Sequence, residues 1–388
     1  MQAATFHLTG PDAIEVDGTW RLSETVGSLI GEGLDASVDT LADGRSAGVM
    51  VVTLSNDRLR VEVVPTRGMG IRSVERDGFR FAWESPVAGP VHPMWVPISE
   101  PSGLGWLDGF DELLVRCGLE SNGAPEYEGS TGRLRYPLHG RIANLAADDV
   151  AVVYDADARE IILRGTVTET RFLFHRFELQ SELRLRPDTA TVRLVDRVTN
   201  RSGSAATMQL LYHINFGRPL LEAGSRVVVP ARRIVPRDAR AAEGIATWDR
   251  YGEPTPGFAE QVYFAEPLRD ADGRGRAVLS NADASRGAAL RFAADTLPCF
   301  TLWKNTGAPE DGYVTGLEPA TNFPNQRSFE ERHGRVLSLP PGASADFELE
   351  LDFMTTAEET GEAIEQAEAL QAGTELEVCD QPRADWCA

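Results

Sequence analysis

The sequence predicts an all-β protein of antiparallel sheets, and three observations carry that expectation. The first is alternation. Leu59, Val61 and Val63 are apolar, with Arg58, Arg60 and Glu62 between them. Phe177, Leu179, Leu183 and Leu185 interleave with Glu178, Gln180, Glu182, Arg184 and Arg186. Phe347, Leu349, Leu351 and Phe353 interleave with Glu348, Glu350 and Asp352. A period of two puts apolar side chains on one face and charges on the other. Antiparallel sheets with one wet face read this way, whereas buried parallel strands are more uniformly apolar. The second observation is turn chemistry. The chain holds 36 Gly and 23 Pro, and Pro187-Asp188 and Pro340-Pro341-Gly342 punctuate the strand patterns. The third is the scarcity of helical periodicity. Residues 22–31 could form a short helix. The clearest helix is 356–371, where Thr356 can cap, Glu359 can complete a capping box, and Ala363, Ile364, Ala367 and Leu370 recur at helical spacing.

Strand patterns run from about residue 48 to 354 without a composition break. One large β-rich body (48–354) is therefore expected, with an N-terminal extension (1–47) packed on it and a C-terminal helix and arm (355–388). The Gly- and Pro-rich stretch Ser85–Gly129 reads as a long loop carrying Trp95 and Trp106, and loops of that length are usually functional.

Composition bounds the function. The chain has 388 residues, 42% of them hydrophobic and 25% charged, which suits a packed globular protein and excludes general disorder. Lys and Arg number 38 against 59 Asp and Glu, a net charge of −21. Such a surface repels phosphate backbones and anionic lipid, so nucleic acid and membrane are poor partners. No apolar run approaches the ~18 residues of a membrane span, and no basic-then-apolar leader opens the chain. Cys117, Cys299, Cys379 and Cys387 form no Cys-x-x-Cys pair and read as free thiols, which points to a reducing cytoplasm.

Three segments carry candidate chemistry. His139 lies in Tyr136-Pro137-Leu138-His139-Gly140-Arg141, His213 in Leu211-Tyr212-His213-Ile214-Asn215-Phe216-Gly217, and Glu318 in Gly316-Leu317-Glu318-Pro319. Each alone reads more readily as a structural residue. In this order, with Pro65-Thr66-Arg67-Gly68-Met69 and Cys117-Gly118-Leu119, they resemble the galactose mutarotase (aldose 1-epimerase) superfamily, in its uncharacterised bacterial aldose-1-epimerase-like branch. The resemblance spans roughly residues 48–354. It implies a large antiparallel β-supersandwich with a sugar site in its concave face. It also implies Glu318 as general base, His213 as general acid and His139 as a substrate-orienting residue. The second histidine lacks the family's usual Asn-His-Ser context.

The residue types suit the implied reaction. Interconverting anomers takes a proton from the anomeric hydroxyl and gives one to the ring oxygen. A carboxylate accepts well, and an imidazolium near its ordinary pKa of about 6.5 donates well. Neither metal nor cofactor is required. Sugar ligands are expected at Arg67, Lys304, Arg141, Trp95 and Asp249. Lys304 lies fourteen positions before Glu318, and on a neighbouring strand it could reach the same pocket. The cationic set Arg67, Arg141 and Lys304 favours an acidic, phosphorylated, sulfonated or oxidised sugar. Two other functions stay open: epimerisation or elimination next to a keto group, and non-catalytic carbohydrate binding. The expected partner is a small-molecule sugar, with homodimerisation left open.

Overall fold

The computed structural model describes residues 4–14, 20–26 and 33–388. It consists mainly of two large sheets, one of nine strands and one of fourteen, joined by a single continuous apolar core. All pairings within them are antiparallel except a short parallel contact of Arg233 and Ile234 with Glu377 and Val378. This is the expected sandwich.

The nine-stranded sheet shows the alternation as read. Strand Ser344–Met354 pairs with Thr191–Asn200 on one side and Gly287–Ala293 on the other. Phe347, Leu349, Leu351 and Phe353 point into the core and are almost fully buried. The residues between them form an ion-pair ladder on the outer face: Arg193–Glu348 at 2.8 Å, Arg274–Glu348 at 2.9 Å and Arg291–Glu350 at 3.0 Å. Residues before position 48 supply strands to both sheets, Ala4–His7 at an edge of the nine-stranded one and Trp20–Arg21 with Asp35–Thr40 at an edge of the other.

Helices are few. Ala357–Gln371 is the longest, and Thr356 caps it by accepting from the Glu359 amide at 3.3 Å. The Glu359 carboxylate returns to the Thr355 amide at 3.2 Å, one residue short of the expected box. Ala363, Ile364 and Ala367 pack on the sheet. Of the expected helix at 22–31, Leu22–Val26 is helical, and 27–31 lies outside the described residues. All four cysteines are free. No helix among the described residues is long and apolar enough to cross a membrane.

One expectation is corrected. The segment Ser85–Gly129 is more than a loop, because Leu114–Leu119 is a central strand of the fourteen-stranded sheet, fully buried along its length. It pairs with Ala206–Gly217, placing Val115 opposite His213. A strand buried on both faces has no alternation to read.

Beneath this strand pair a charged cluster crosses the core. Arg116 donates to Asp196 through Nε at 2.6 Å and Nη2 at 3.0 Å, and Tyr212 Oη donates to the same carboxylate at 2.8 Å. Both ion-pair side chains are fully buried. The cluster ties the strand carrying His213 to the opposite sheet.

Candidate active site

Four neighbouring strands of the fourteen-stranded sheet build the site on the face turned away from the core. Ala206–Gly217 pairs with Tyr313–Ala320, which pairs with Cys299–Thr306, which pairs with Gln261–Pro267. The register aligns Thr301 with Glu318 and Val262 with Trp303. These side chains and His213 therefore share one face. Tyr212, Leu317 and Leu302, one residue away, enter the core. Segments around Leu104–Phe110, Leu138–His139 and Pro324 close over that face. The cavity so formed is about 280 Å³ and includes His139, His213, Glu318, Thr301, Trp106 and Trp303 in its lining.

His213 and Glu318 converge. His213 Nε2 lies 3.1 Å from Glu318 Oε1, and both side chains are at least 95% buried. The contact is made across Gly316, where an added Cβ would stand 2.4 Å from Glu318 Oε1 and 3.0 Å from His213 Cε1. Glycine at 316 is thus what lets the two groups meet. On its other side, His213 Nδ1 lies 2.5 Å from Asn215 Oδ1. His139 comes from the turn before Gly140, with its ring centroid 5.4 Å from that of His213. Its Nδ1 donates to the Asn122 carbonyl at 2.9 Å. Gly140 has φ +72°, and a Cβ there would fall 2.0 Å from the Ser121 carbonyl oxygen. The close backbone approach accounts for the glycine after His139.

Burial sets the electrostatics. It drives Glu318 well above its ordinary 4.5, helped by Glu260 and opposed by Arg237. It drives His213 well below 6.5, helped by His139. His139 is also lowered, by burial. The neutral forms of all three groups are favoured.

The cavity also holds unmet hydrogen-bonding capacity. Among the described residues, three of its lining side chains have a buried polar atom without a hydrogen-bond partner: Glu318 Oε1, Thr301 Oγ1 and Trp106 Nε1. A buried unpaired polar atom costs roughly 1–3 kcal/mol. Three converging on one space suit a ligand rich in hydroxyls. Trp106 packs edge-on to His139 at 4.6 Å and Phe110 edge-on to His213 at 5.2 Å.

The five expected sugar ligands do not line this cavity. Lys304 does lie on the strand next to Glu318, but on its opposite face. Its Nζ donates to the Thr247, Trp248 and Arg250 carbonyls, and burial lowers its pKa to about 8. Arg67 is fully buried, with Nε on Glu112 at 2.6 Å and its guanidinium also on Asn144 and the Gly109 carbonyl. Arg141 begins a 3-10 turn at Ile142–Asn144. Trp95 is 52% exposed on a separate turn, whereas Trp106 is in the cavity lining. Asp249 lines a different cleft, with Arg226 and Glu368 beside the C-terminal helix.

Sequence reasoning passed over Thr301, Trp303, Glu260, Arg237 and the Asn215 side chain. Glu260 bridges Arg237 at 2.9 Å and Trp303 Nε1 at 2.7 Å on the cavity rim. The signal for Trp303 was present: counting by two from Thr301 puts Trp303, not Lys304, on the Glu318 face.

Residues 46–353 match the family model described as Domain of unknown function (DUF4432). The chain belongs to this DUF4432 family. A candidate aldose 1-epimerase from Klebsiella pneumoniae is 34% identical, with 98% of this chain and 99% of that one covered and a TM-score of 0.92. A galactose mutarotase-like protein from Clostridium acetobutylicum shares the fold at 13% identity, covering 83% and 98% of the two chains with a TM-score of 0.56. A candidate aldose 1-epimerase from Escherichia coli K12 shares it at 16% identity, covering 79% and 99% with a TM-score of 0.51. No curated protein matches the chain. This DUF4432 chain thus has the galactose mutarotase-like sandwich that the order of His139, His213 and Glu318 implies.

Proposed function

We propose that this DUF4432 protein is a sugar 1-epimerase that interconverts the anomers of an uncharged aldose, using Glu318 and His213 as the proton-transferring pair. The observation that carries the reading is the buried His213–Glu318 contact of 3.1 Å in the lining of a cavity of about 280 Å³. That volume is near the low end for small-ligand pockets, about 300–1,000 Å³, and suits a single sugar ring. Opening the ring needs one proton removed from the anomeric hydroxyl and one delivered to the ring oxygen. Each positioned transfer contributes about 10²–10⁴-fold. His139, with Nδ1 held by the Asn122 carbonyl, offers Nε2 to a sugar hydroxyl. Trp106 and Trp303 supply apolar walls for a ring face.

Preference for an uncharged sugar follows from the charges at the cavity. The cations at 67, 141 and 304 lie elsewhere. Arg237, the arginine in the lining, is paired with Asp238 at 2.9 Å and with Glu260. An anionic substrate would meet Glu260 without a free cation to offset it.

The test is proton NMR of freshly dissolved single anomers of aldoses and their uronates in deuterated water. Faster equilibration of a neutral aldose, without deuterium at carbon, is the expected result. Binding without acceleration would make the protein a sugar-binding module. Deuterium at carbon would relocate the chemistry next to a keto group.

A further inference from the structure

The cavity is polar on one side and apolar on the other. Its floor is the sheet, which presents His213, Thr301 and Glu318. Its roof comes from the covering segments, which present Leu104, Leu107, Ala124, Leu138 and Pro324. The backbone of the roof is largely bonded to itself. The Leu107 amide donates to the Leu104 carbonyl at 2.9 Å, the Leu138 amide to the Gly103 carbonyl at 2.9 Å and the Ala124 amide to the Pro324 carbonyl at 3.1 Å. The Leu104 amide donates to the Glu100 carboxylate at 2.8 Å, and Pro324 has no amide N–H to offer. From the roof, Trp106 Nε1 and the His139 nitrogen not held by Asn122 are left to meet a hydroxyl. At the rim, Glu260 bonds both Arg237 and Trp303 Nε1, so those three groups serve one another.

The entrance is the least sugar-like part of this lining. Leu104 and Leu107 are 45% and 43% exposed, whereas Trp106 between them in sequence is 1% exposed. Hydroxyl binding gives no reason for two leucines half open to water at the mouth of such a cavity. An apolar group on the ligand does, because covering them removes apolar surface from water.

Sugar chemistry says which group that is. For the proposed proton transfers, C1 and the ring oxygen must lie against Glu318 and His213. The hydroxyls on C2, C3 and C4 stand directly on the ring. C6 is the carbon of an aldohexopyranose that lies outside the ring, so it reaches farthest toward the entrance. A hydroxyl on C6 would give up water for hydrocarbon there, whereas a methyl would gain by the same burial.

We propose that the apolar roof selects 6-deoxyaldoses, with the C6 methyl seated against Leu104 and Leu107. This rests on the sugar 1-epimerase reading and narrows its substrate from an uncharged aldose to one whose far end is hydrocarbon.

The experiment compares sugars that differ only at C6, in three matched sets: D-galactose, D-fucose and L-arabinose; D-glucose, 6-deoxy-D-glucose and D-xylose; L-mannose, L-rhamnose and L-lyxose. Proton NMR of anomer exchange with the full chain gives kcat/KM for each. In whichever set is turned over fastest, the 6-deoxyaldose should lead the hexose by about tenfold or more, because the extra hydroxyl is left without a partner. It should lead the pentose by about fourfold, the effect of one buried methyl. Leu104→Ser and Leu107→Ser, at exposed positions that tolerate the change, each offer the C6 hydroxyl a partner and should cut the lead over the hexose to about threefold or less. A hexose or pentose level with the 6-deoxyaldose, or a lead that neither serine variant reduces, would overturn the proposal. If no sugar is accelerated, the proposed function fails, and calorimetry on the same sets still decides the selectivity. Tighter binding of the 6-deoxyaldose then upholds it, and equal, weaker or no binding overturns it.

Discussion

The two sheets of this molecule use polar residues in opposite ways. On the nine-stranded sheet the outer face is wet, and its charges pair with one another, as Arg193 does with Glu348 and Arg291 with Glu350. On the fourteen-stranded sheet the outer face is covered by the segments around Trp106 and Pro324, and the polar groups there are buried. Among the described residues, some lack a hydrogen-bond partner, as with Glu318 Oε1 and Thr301 Oγ1. Ladders of exposed pairs add little stability, while a covered sheet face with unpaired polar atoms loses stability and gains a site. Where a β protein leaves polar atoms unpaired under a cover is where its chemistry should be sought.

The contrast can be broken by substitution. Removing the cross-sheet charge below the site should cost most. Asp196→Ala strands Arg116 in the core and should destabilise by about 3–5 kcal/mol in chemical denaturation. Next is Gly316→Ala, which drives a methyl between Glu318 and His213. It should lower anomer exchange about 100-fold, the usual effect of a displacement near 1 Å, with little change in melting temperature. A smaller and opposite effect is expected of Glu318→Gln on stability. Glu318 is raised in the folded protein, so the native state holds its proton more tightly than the unfolded chain does. Below about pH 4.5 both states are protonated and the substitution is neutral. As pH rises from there toward the folded value, the wild type loses stability by at most ~1.4 kcal/mol per unit, and the glutamine variant does not. Melting curves from pH 4 to 8 should therefore diverge, with the variant higher. Smallest of all, Arg193→Ala on the wet ladder should cost no more than about 1 kcal/mol.

The same contrast explains what could be read from the sequence. The nine-stranded sheet was legible because water on one face enforces a period of two, as along Phe347–Phe353. Leu114–Leu119 was hidden because cover on its outer face removed the polar half of the pattern. His139, His213 and Glu318 were found through the order of their motifs, and the structure brings them to one cavity. The ligands were misplaced for physical reasons. Lys304 failed by parity, one residue from the face that Trp303 occupies. Arg67 failed because a buried arginine needs a carboxylate, and Glu112, 45 positions away, gives no local sign of being that partner. The link from Asn215 to His213 is a spacing of two on a strand, visible in sequence as an address but not as an interaction.

The account rests on one carboxyl group acting on a sugar bound beside His213. Its most direct test is Glu318→Gln, assayed for sugar binding by calorimetry and for anomer exchange by NMR on the same preparation. The account requires binding within a few-fold of wild type and exchange reduced by about 100-fold or more. Exchange at the wild-type rate in a variant that still binds the sugar would contradict it.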